Sequence, residues 1–211
     1  MARKTYGMLV AKIFAGIVLL IVAVIGLSYG SLLSAMEQAD QDFKRGDNEN
    51  ALKKYQAVEQ RLRSLGAIRM VPAGDRRNLL LNEARLLYAM SKYDEAQEPM
   101  DREAEISGAT TDGRFLLLKG EIAFRKAVKN YRESAKKDPR VLEESLRGAE
   151  DTLRESLRQT PDDWDAKYNF EFVNYIRNLM NQDDQGKIKI LMENVRIKEM
   201  QPKALPADQQ M

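Results

Sequence analysis

The apolar residues form one long uninterrupted run near the N-terminus, followed by a series of amphipathic stretches. Residues 13–33 contain no charged side chain. At about 1.5 Å per residue, a helix of this length spans roughly 30 Å, the thickness of the hydrocarbon core of a bilayer. A cleaved signal peptide usually has a shorter apolar region, about 7–15 residues, and residues 33–35 are a poor cleavage site. The pattern predicts an uncleaved transmembrane helix over 13–33.

Beyond this run, apolar residues recur at steps of three and four, the period of an amphipathic helix. Residues 66–75 and 107–113 are rich in turn-forming residues and predict loops. No segment shows the alternation of a strand. The pattern therefore predicts an all-α fold, with a helical domain over 34–200 that ends in a helix over 188–200. Residues 201–211 contain two prolines and no apolar period, which predicts a disordered tail.

A repeated spacing marks two of the predicted helix pairs. It consists of a small residue, an aromatic residue four positions later and an alanine eight positions after that. The spacing occurs at Ala39, Phe43 and Ala51, and again at Ala84, Tyr88 and Ala96. Small residues let the two helices of a pair approach closely, and this pattern resembles tetratricopeptide repeats (TPR). Gly120 and Phe124 begin a third, irregular unit with an insertion over 127–142. We therefore predict a TPR-like α-solenoid of stacked helix pairs.

The distribution of charge gives the predicted transmembrane helix an orientation. Basic residues precede it and acidic residues follow it directly: Arg3, Lys4 and Lys12 before, and Glu37, Asp40 and Asp42 after. Positive residues favour the cytoplasmic side. We therefore predict a cytoplasmic N-terminus over 1–12 and a single-pass protein. The rest of the chain would lie across the membrane, which in a bacterium means the inner membrane and the periplasm.

The composition argues against catalysis and against nucleic-acid binding. The chain contains no His and no Cys, which removes imidazole and thiolate nucleophiles and the commonest metal ligands. Nothing resembles a phosphate-binding glycine loop. The 34 basic and 32 acidic residues are finely mixed, without the positive patch that nucleic acid requires. We predict no enzyme, no cofactor, no metal site and no nucleic-acid partner.

A more specific pattern lies near the end of the helical domain. Residues 161–171 read Pro-Asp-Asp-Trp-Asp-Ala-Lys-Tyr-Asn-Phe-Glu. This resembles the Trp-x-Ala-(Arg/Lys)-Tyr-Asn-x-Glu signature of small membrane-anchored TPR proteins related to MxaK. Such proteins occur in bacterial gene clusters that encode a MoxR-type AAA+ ATPase and membrane-tethered von Willebrand A-domain proteins. The resemblance implies an accessory role in maturing or assembling periplasmic proteins, with those two protein types as candidate partners.

Trp164, Tyr168 and Asn169 are the most distinctive candidates for a site. The two aromatic residues are four positions apart and share a helix face, which predicts packing against the apolar stripe of residues 142–157. The alternative is that all three contact a bound protein. The acidic residues 162–163 before them are predicted to cap the helix.

Two further polar segments are candidate binding sites, and each also has an interpretation that involves no ligand or partner. Arg76 and Arg77 border a predicted loop and would suit an acidic partner, although a solvated helix face explains them equally well. The segment Asn181–Gly186 partly resembles a calcium-binding EF-hand loop. The carboxylate that closes such a loop would fall at Met192, so a polar turn is the better interpretation.

Taken together, the residues predict a membrane-anchored scaffold that binds proteins. The alternative is a structural subunit of a membrane complex whose transmembrane helix is the main interface. Gly26 and Gly30 have the small-xxx-small spacing that lets membrane helices approach each other.

Overall fold

The computed structural model describes the backbone of residues 2–108 and 112–181, and the side chains of 12–108 and 112–180. Over these residues the chain forms seven α-helices and no strand, which confirms the all-α prediction. The helices are α1 (Ala2–Lys44), α2 (Asn48–Ser64), α3 (Ala73–Ala89), α4 (Tyr93–Ser107), α5 (Gly113–Glu133), α6 (Pro139–Gln159) and α7 (Trp164–Asn181). The predicted helix over 188–200, the predicted tail and the calcium-like loop after Asn181 lie outside the described residues.

Helix α1 contains the predicted membrane span. From Lys12 onward it is long and apolar enough to cross a bilayer, and its large apolar side chains are exposed. An α-helix satisfies its own backbone hydrogen bonds, which is what the interior of a membrane requires. The helix does not end at residue 33 but continues to Lys44. It stops at Gly46, whose φ of +83° is readily adopted by glycine. The predicted span and the first helix of the first predicted pair are therefore one continuous helix.

The chain divides into two compact units, Met1–Arg61 and Leu62–Met211. In the first unit, polar contacts join the end of α1 to α2. The Tyr55 hydroxyl donates a hydrogen bond of 2.5 Å to Asp40 Oδ1, and Lys54 Nζ lies 2.6 Å from Asp42 Oδ2. Ala39 on α1 and Ala51 on α2, two of the small residues in the repeated spacing, are both fully buried.

The second unit alternates its helices between two layers. Helix α3 packs on α4, α5 on α6, and α6 on α7, while α3, α5 and α7 also contact one another in that order. Loops therefore join α3 to α4 and α5 to α6 as helical hairpins, and α7 follows them. The predicted loops at 66–75 and 107–113 correspond to the connections before α3 and before α5.

The interface between α5 and α6 is close because of a glycine. A Cβ atom placed on Gly120 would lie 2.6 Å from Leu153 Cγ, well inside van der Waals contact. The extra residues of the irregular unit lengthen α5 and α6. These two helices have 21 residues each, compared with 17 in α3 and 15 in α4. The added turns join a core shared with α7: Phe124, Ala127, Val128, Leu142, Leu146, Ala149, Leu153, Val173, Ile176 and Leu179.

Candidate partner-binding face

Arg76 does not lie on an accessible surface. Its guanidinium donates to Glu103, with Nε 3.0 Å from Oε2 and Nη2 3.3 Å from Oε1, and to Ser107 Oγ at 2.7 Å. The side chain of Glu103 is 0% exposed and that of Arg76 is 8% exposed. Arg76 points from α3 towards α4 and is held in a buried ion pair, so a solvated helix face does not explain it. Its contact with a partner stays a prediction. The next residue, Arg77, is more exposed and lies 3.6 Å from Asp112.

Trp164 and Tyr168 do not pack against α6, so that prediction is wrong. Trp164 is 78% exposed and Tyr168 is 60% exposed. Helix α7 contacts α6 through a different face, whose apolar residues are Val173, Ile176 and Leu179. The cap that precedes them is as predicted, because Asp163 Oδ1 accepts hydrogen bonds from the backbone N–H groups of Asp165 and Ala166.

Asn169 lies on another side of α7 from these two aromatic residues and is directed towards α5. Its Nδ2 donates a hydrogen bond of 2.7 Å to Glu121 Oε1, and the side chain is buried. The sequence motif groups Asn169 with Trp164 and Tyr168, but one residue along a helix turns a side chain by about 100°. The structure therefore places Asn169 in a different environment from its neighbours in sequence.

The Asn169–Glu121 pair belongs to a set of polar side chains contributed by three helices of one layer. Arg85 and Tyr88 lie on α3, Glu121 and Arg125 on α5, and Asn169 on α7; we call this set the polar face. Arg125 Nε donates a hydrogen bond of 3.3 Å to the Tyr88 hydroxyl. The Arg125 guanidinium carbon also lies 6.0 Å from the centre of the Tyr88 ring. The polar face thus runs across α3, α5 and α7.

The electrostatics of the polar face depart from those of an ordinary solvated surface. Burial raises the pKa of Glu121 to about 7, although Arg85 and the hydrogen bond from Asn169 favour its charged form. Burial also lowers the pKa of Arg85, and the positive charge of Arg114 adds to this effect. Burial and the charge of Glu121 raise the pKa of Tyr88 to about 12. Several shifted pKa values in one place are typical of functional sites.

The shifted pKa of Glu121 predicts a dependence of stability on pH. Below pH 4.5 the carboxyl group is protonated in both the folded and the unfolded chain. Between pH 4.5 and about 7 the folded chain holds the extra proton, so the free energy of unfolding falls as the pH rises. Glu121→Gln keeps an acceptor for Asn169 and removes the charge. We expect it to raise the free energy of unfolding at pH 8 by about 3 kcal/mol.

This effect is measured by urea unfolding of the detergent-solubilised full chain at pH 5, 6.5 and 8, followed by far-UV circular dichroism. Glu171→Gln is the control, because Glu171 is exposed on α7 and its substitution should leave the stability unchanged. Equal stability of Glu121→Gln and the unsubstituted chain at pH 8 would contradict the assignment.

Comparison of the chain with family models, curated proteins and solved structures finds no match. Of the five members of the polar face, the sequence pattern singled out only Asn169 as a site candidate. Arg85, Glu121 and Arg125 belong to a chain with 34 basic and 32 acidic residues, and no local motif separates them from the others. Their distinguishing property is burial between helices, which appears only in the folded chain.

Proposed function

We propose that this chain is a membrane-anchored scaffold that binds another protein through the polar face. The main observation in support is that α3, α5 and α7 each contribute partly or fully buried polar side chains to one face. Arg85, Arg125 and Asn169 supply hydrogen-bond donors, and Glu121 supplies an acceptor or, when protonated, a donor. These groups suit the amide groups and charged side chains of a polypeptide better than an apolar ligand.

The arrangement of the second unit supports a TPR-like α-solenoid as the architecture of this scaffold. Hairpins α3–α4 and α5–α6 are followed by α7, and alternate helices share a layer. Ala84 and Ala96, from the repeated spacing, are fully buried, and Gly120 permits the close approach of α6. Helix pairs that cannot bury their apolar faces alone gain stability by stacking.

We further propose an accessory role in the maturation or assembly of periplasmic or membrane proteins, as in the MxaK-like proteins. The charge asymmetry around residues 13–33 supports an inner-membrane location with a cytoplasmic N-terminus. Membrane-tethered von Willebrand A-domain proteins and a MoxR-type ATPase system are the proposed partners. The motif at residues 161–171, which includes Asn169 of the polar face, supports this choice.

The test is quantitative co-purification of the tagged full chain, in detergent, with a membrane-tethered von Willebrand A-domain protein of the same organism. We expect Arg85→Ala and Asn169→Ala each to reduce capture about tenfold, equivalent to about 1.4 kcal/mol of binding free energy. The matched control is Lys119→Ala, which removes a charge from an exposed position on α5 and should bind normally. Undiminished capture by both polar-face variants would overturn the proposed binding surface.

A second candidate function is a structural subunit that assembles through its membrane helix. The observation in its favour is that Gly26 and Gly30 lie four residues apart on α1 with nothing within 4 Å of an added Cβ at either position. Replacing residues 13–33 by an unrelated apolar helix distinguishes the two functions. The scaffold keeps its partner after this exchange, whereas the membrane subunit loses it.

A further inference from the structure

Helix α7 exposes a row of large aromatic side chains. Trp164, Tyr168 and Tyr175 are separated by four and seven residues, so they lie on one side of the helix. The exposed fractions are 78% for Trp164, 60% for Tyr168 and 53% for Tyr175. We call these three residues the aromatic stripe. Aromatic side chains contribute a large apolar area, and a row of them on a surface marks a place where something packs.

The comparison with α5 shows what the stripe corresponds to in the fold. Both helices begin directly after a capping aspartate, Asp112 before α5 and Asp163 before α7. When the two capping aspartates are aligned, each residue of the aromatic stripe has an equivalent position in α5. Trp164 corresponds to Gly113, Tyr168 to Leu117 and Tyr175 to Phe124.

The alignment is supported by the buried faces of the two helices. Three buried positions of α5 coincide with three buried positions of α7 under this register. These are Phe115 with Ala166, Leu118 with Asn169, and Ile122 with Val173. The two helices therefore present the same side to the interior of the second unit, and their remaining sides can be compared position by position.

In α5, the positions equivalent to the stripe are covered by the next helix in the chain. Ser156 on α6 donates a hydrogen bond of 2.8 Å to the carbonyl of Gly113. Phe124 belongs to the core that includes Leu142 and Leu146 of α6. The aromatic stripe is thus the face of α7 that, in the preceding hairpin, the following helix occupies.

The chain after α7 has the length and the pattern needed to occupy this face. Residues 182–211 follow the last residue of α7 and lie outside the described part of the structure. Within them, apolar residues are spaced by three, one and three positions, which is the period of one face of a helix: Ile188, Leu191, Met192 and Val195. The six residues 182–187 before them compare with the five residues 134–138 that join α5 to α6.

The length of a helix over these residues also agrees with the length of the aromatic stripe. A helix over residues 188–200 is about 20 Å long, and the stripe from Trp164 to Tyr175 extends over about 17 Å. We propose that residues 188–200 form an amphipathic helix that packs antiparallel along the aromatic stripe, as α6 packs along α5. Helix α7 and this segment then make a third hairpin of the second unit.

The surroundings of the stripe favour this occupant over a lipid surface. Glu171 and Asn178 lie on the same side of α7 and are exposed. Insertion into a bilayer would bury the carboxylate of Glu171 among lipid chains. A helix with polar residues flanking its apolar stripe leaves such groups at the edge of the contact in water. This assignment gives Trp164 and Tyr168 an intramolecular role and leaves the polar face available to a partner.

The first test is disulfide trapping, which is clean because the chain contains no Cys. Tyr175→Cys is combined in turn with Ile188→Cys, Leu191→Cys or Val195→Cys in the full chain, and mild oxidation follows. We expect at least one pair to cross-link within a single chain, since a disulfide requires Cα atoms about 4.4–6.8 Å apart. The matched control is Tyr175→Cys with Glu193→Cys, which lies on the opposite side of the proposed helix and should not cross-link.

The second test uses fluorescence from Trp164, the single tryptophan of the chain. In the full chain we expect emission typical of a shielded indole. Leu191→Asp with Val195→Asp should shift the emission to longer wavelength and increase quenching by acrylamide about twofold. Glu193→Gln, the control, should change neither measurement.

Several results would overturn the proposal. Cross-links that form only between chains would assign the stripe to a second copy of the protein. The absence of any intramolecular cross-link, together with the emission of a fully exposed indole in the unsubstituted chain, would show that residues 188–200 do not cover the stripe. Restoration of shielding only when a partner protein is added would assign the stripe to that partner instead.

Discussion

Arg76→Met should lower the free energy of unfolding by about 3–5 kcal/mol. The Glu103 carboxylate is fully buried between α3 and α4, and Arg76 is the positive group that faces it at 3.0 Å. Methionine fills a similar volume but leaves the carboxylate without its counter-charge in a low-dielectric interior. The cost of an uncompensated buried charge is much greater than the net contribution of the ion pair itself.

A double variant that lacks both charges should recover most of this loss. Replacing both partners, Arg76→Met with Glu103→Leu, removes the buried charges together and should restore the stability to within about 1 kcal/mol of the original. Arg77→Met is the matched single control, because Arg77 is partly exposed: it lies 3.6 Å from Asp112 and donates a hydrogen bond of 3.1 Å to the Ala73 carbonyl. Its cost should be below about 1 kcal/mol. Urea unfolding of the full chain measures all three, and equal losses for Arg76→Met and Arg77→Met would contradict the role given to Glu103.

Gly120→Val is the second substitution expected to have a large effect, a loss of about 3 kcal/mol. Even a single Cβ at this position would lie 2.6 Å from Leu153 Cγ and 3.4 Å from the carbonyl oxygen of Ala149. The added methyl groups would push α6 away from α5, and the loss of contact would extend through the core that these helices share with α7. We expect a lower urea midpoint and a less cooperative transition.

The control for this substitution is another helical glycine. Gly148 lies within α6, and nothing is within 4 Å of a Cβ built there. Gly148→Val should therefore change the stability by no more than about 0.5 kcal/mol, because only the intrinsic helix preference changes. A comparable loss in both variants would show that close packing at Gly120 is not the cause.

The predictions from sequence succeeded where the determining interactions are local. The uncharged run from residue 13, the helical period and the turn residues depend on neighbours a few positions away, and the structure confirms the helices and their connections. The cap at Asp163 belongs to the same class, because its acceptor and the two N–H groups are separated by two and three residues.

The predictions failed where a side chain could point in one of several directions. The period of α7 shows that Trp164 and Tyr168 share a side, but it does not say which neighbour that side meets. Arg76 occupies a position next to a loop, and its sequence context does not reveal that it points towards Glu103, 27 residues later. The polar face was largely missed for the same reason, since its members come from three helices separated by loops and by other helices.

The sequence by itself determined the long apolar helix near the N-terminus, the all-α character and the approximate ends of the helices, because local chain preferences and hydrophobic periodicity depend on residues close together in the chain. The tertiary structure alone decided which charges are buried and which polar groups meet across α3, α5 and α7. It also decided which face of α7 is left exposed by the described helices. The physical reason is that burial and pairing depend on how distant helices pack, and small residues such as Gly120 set that packing.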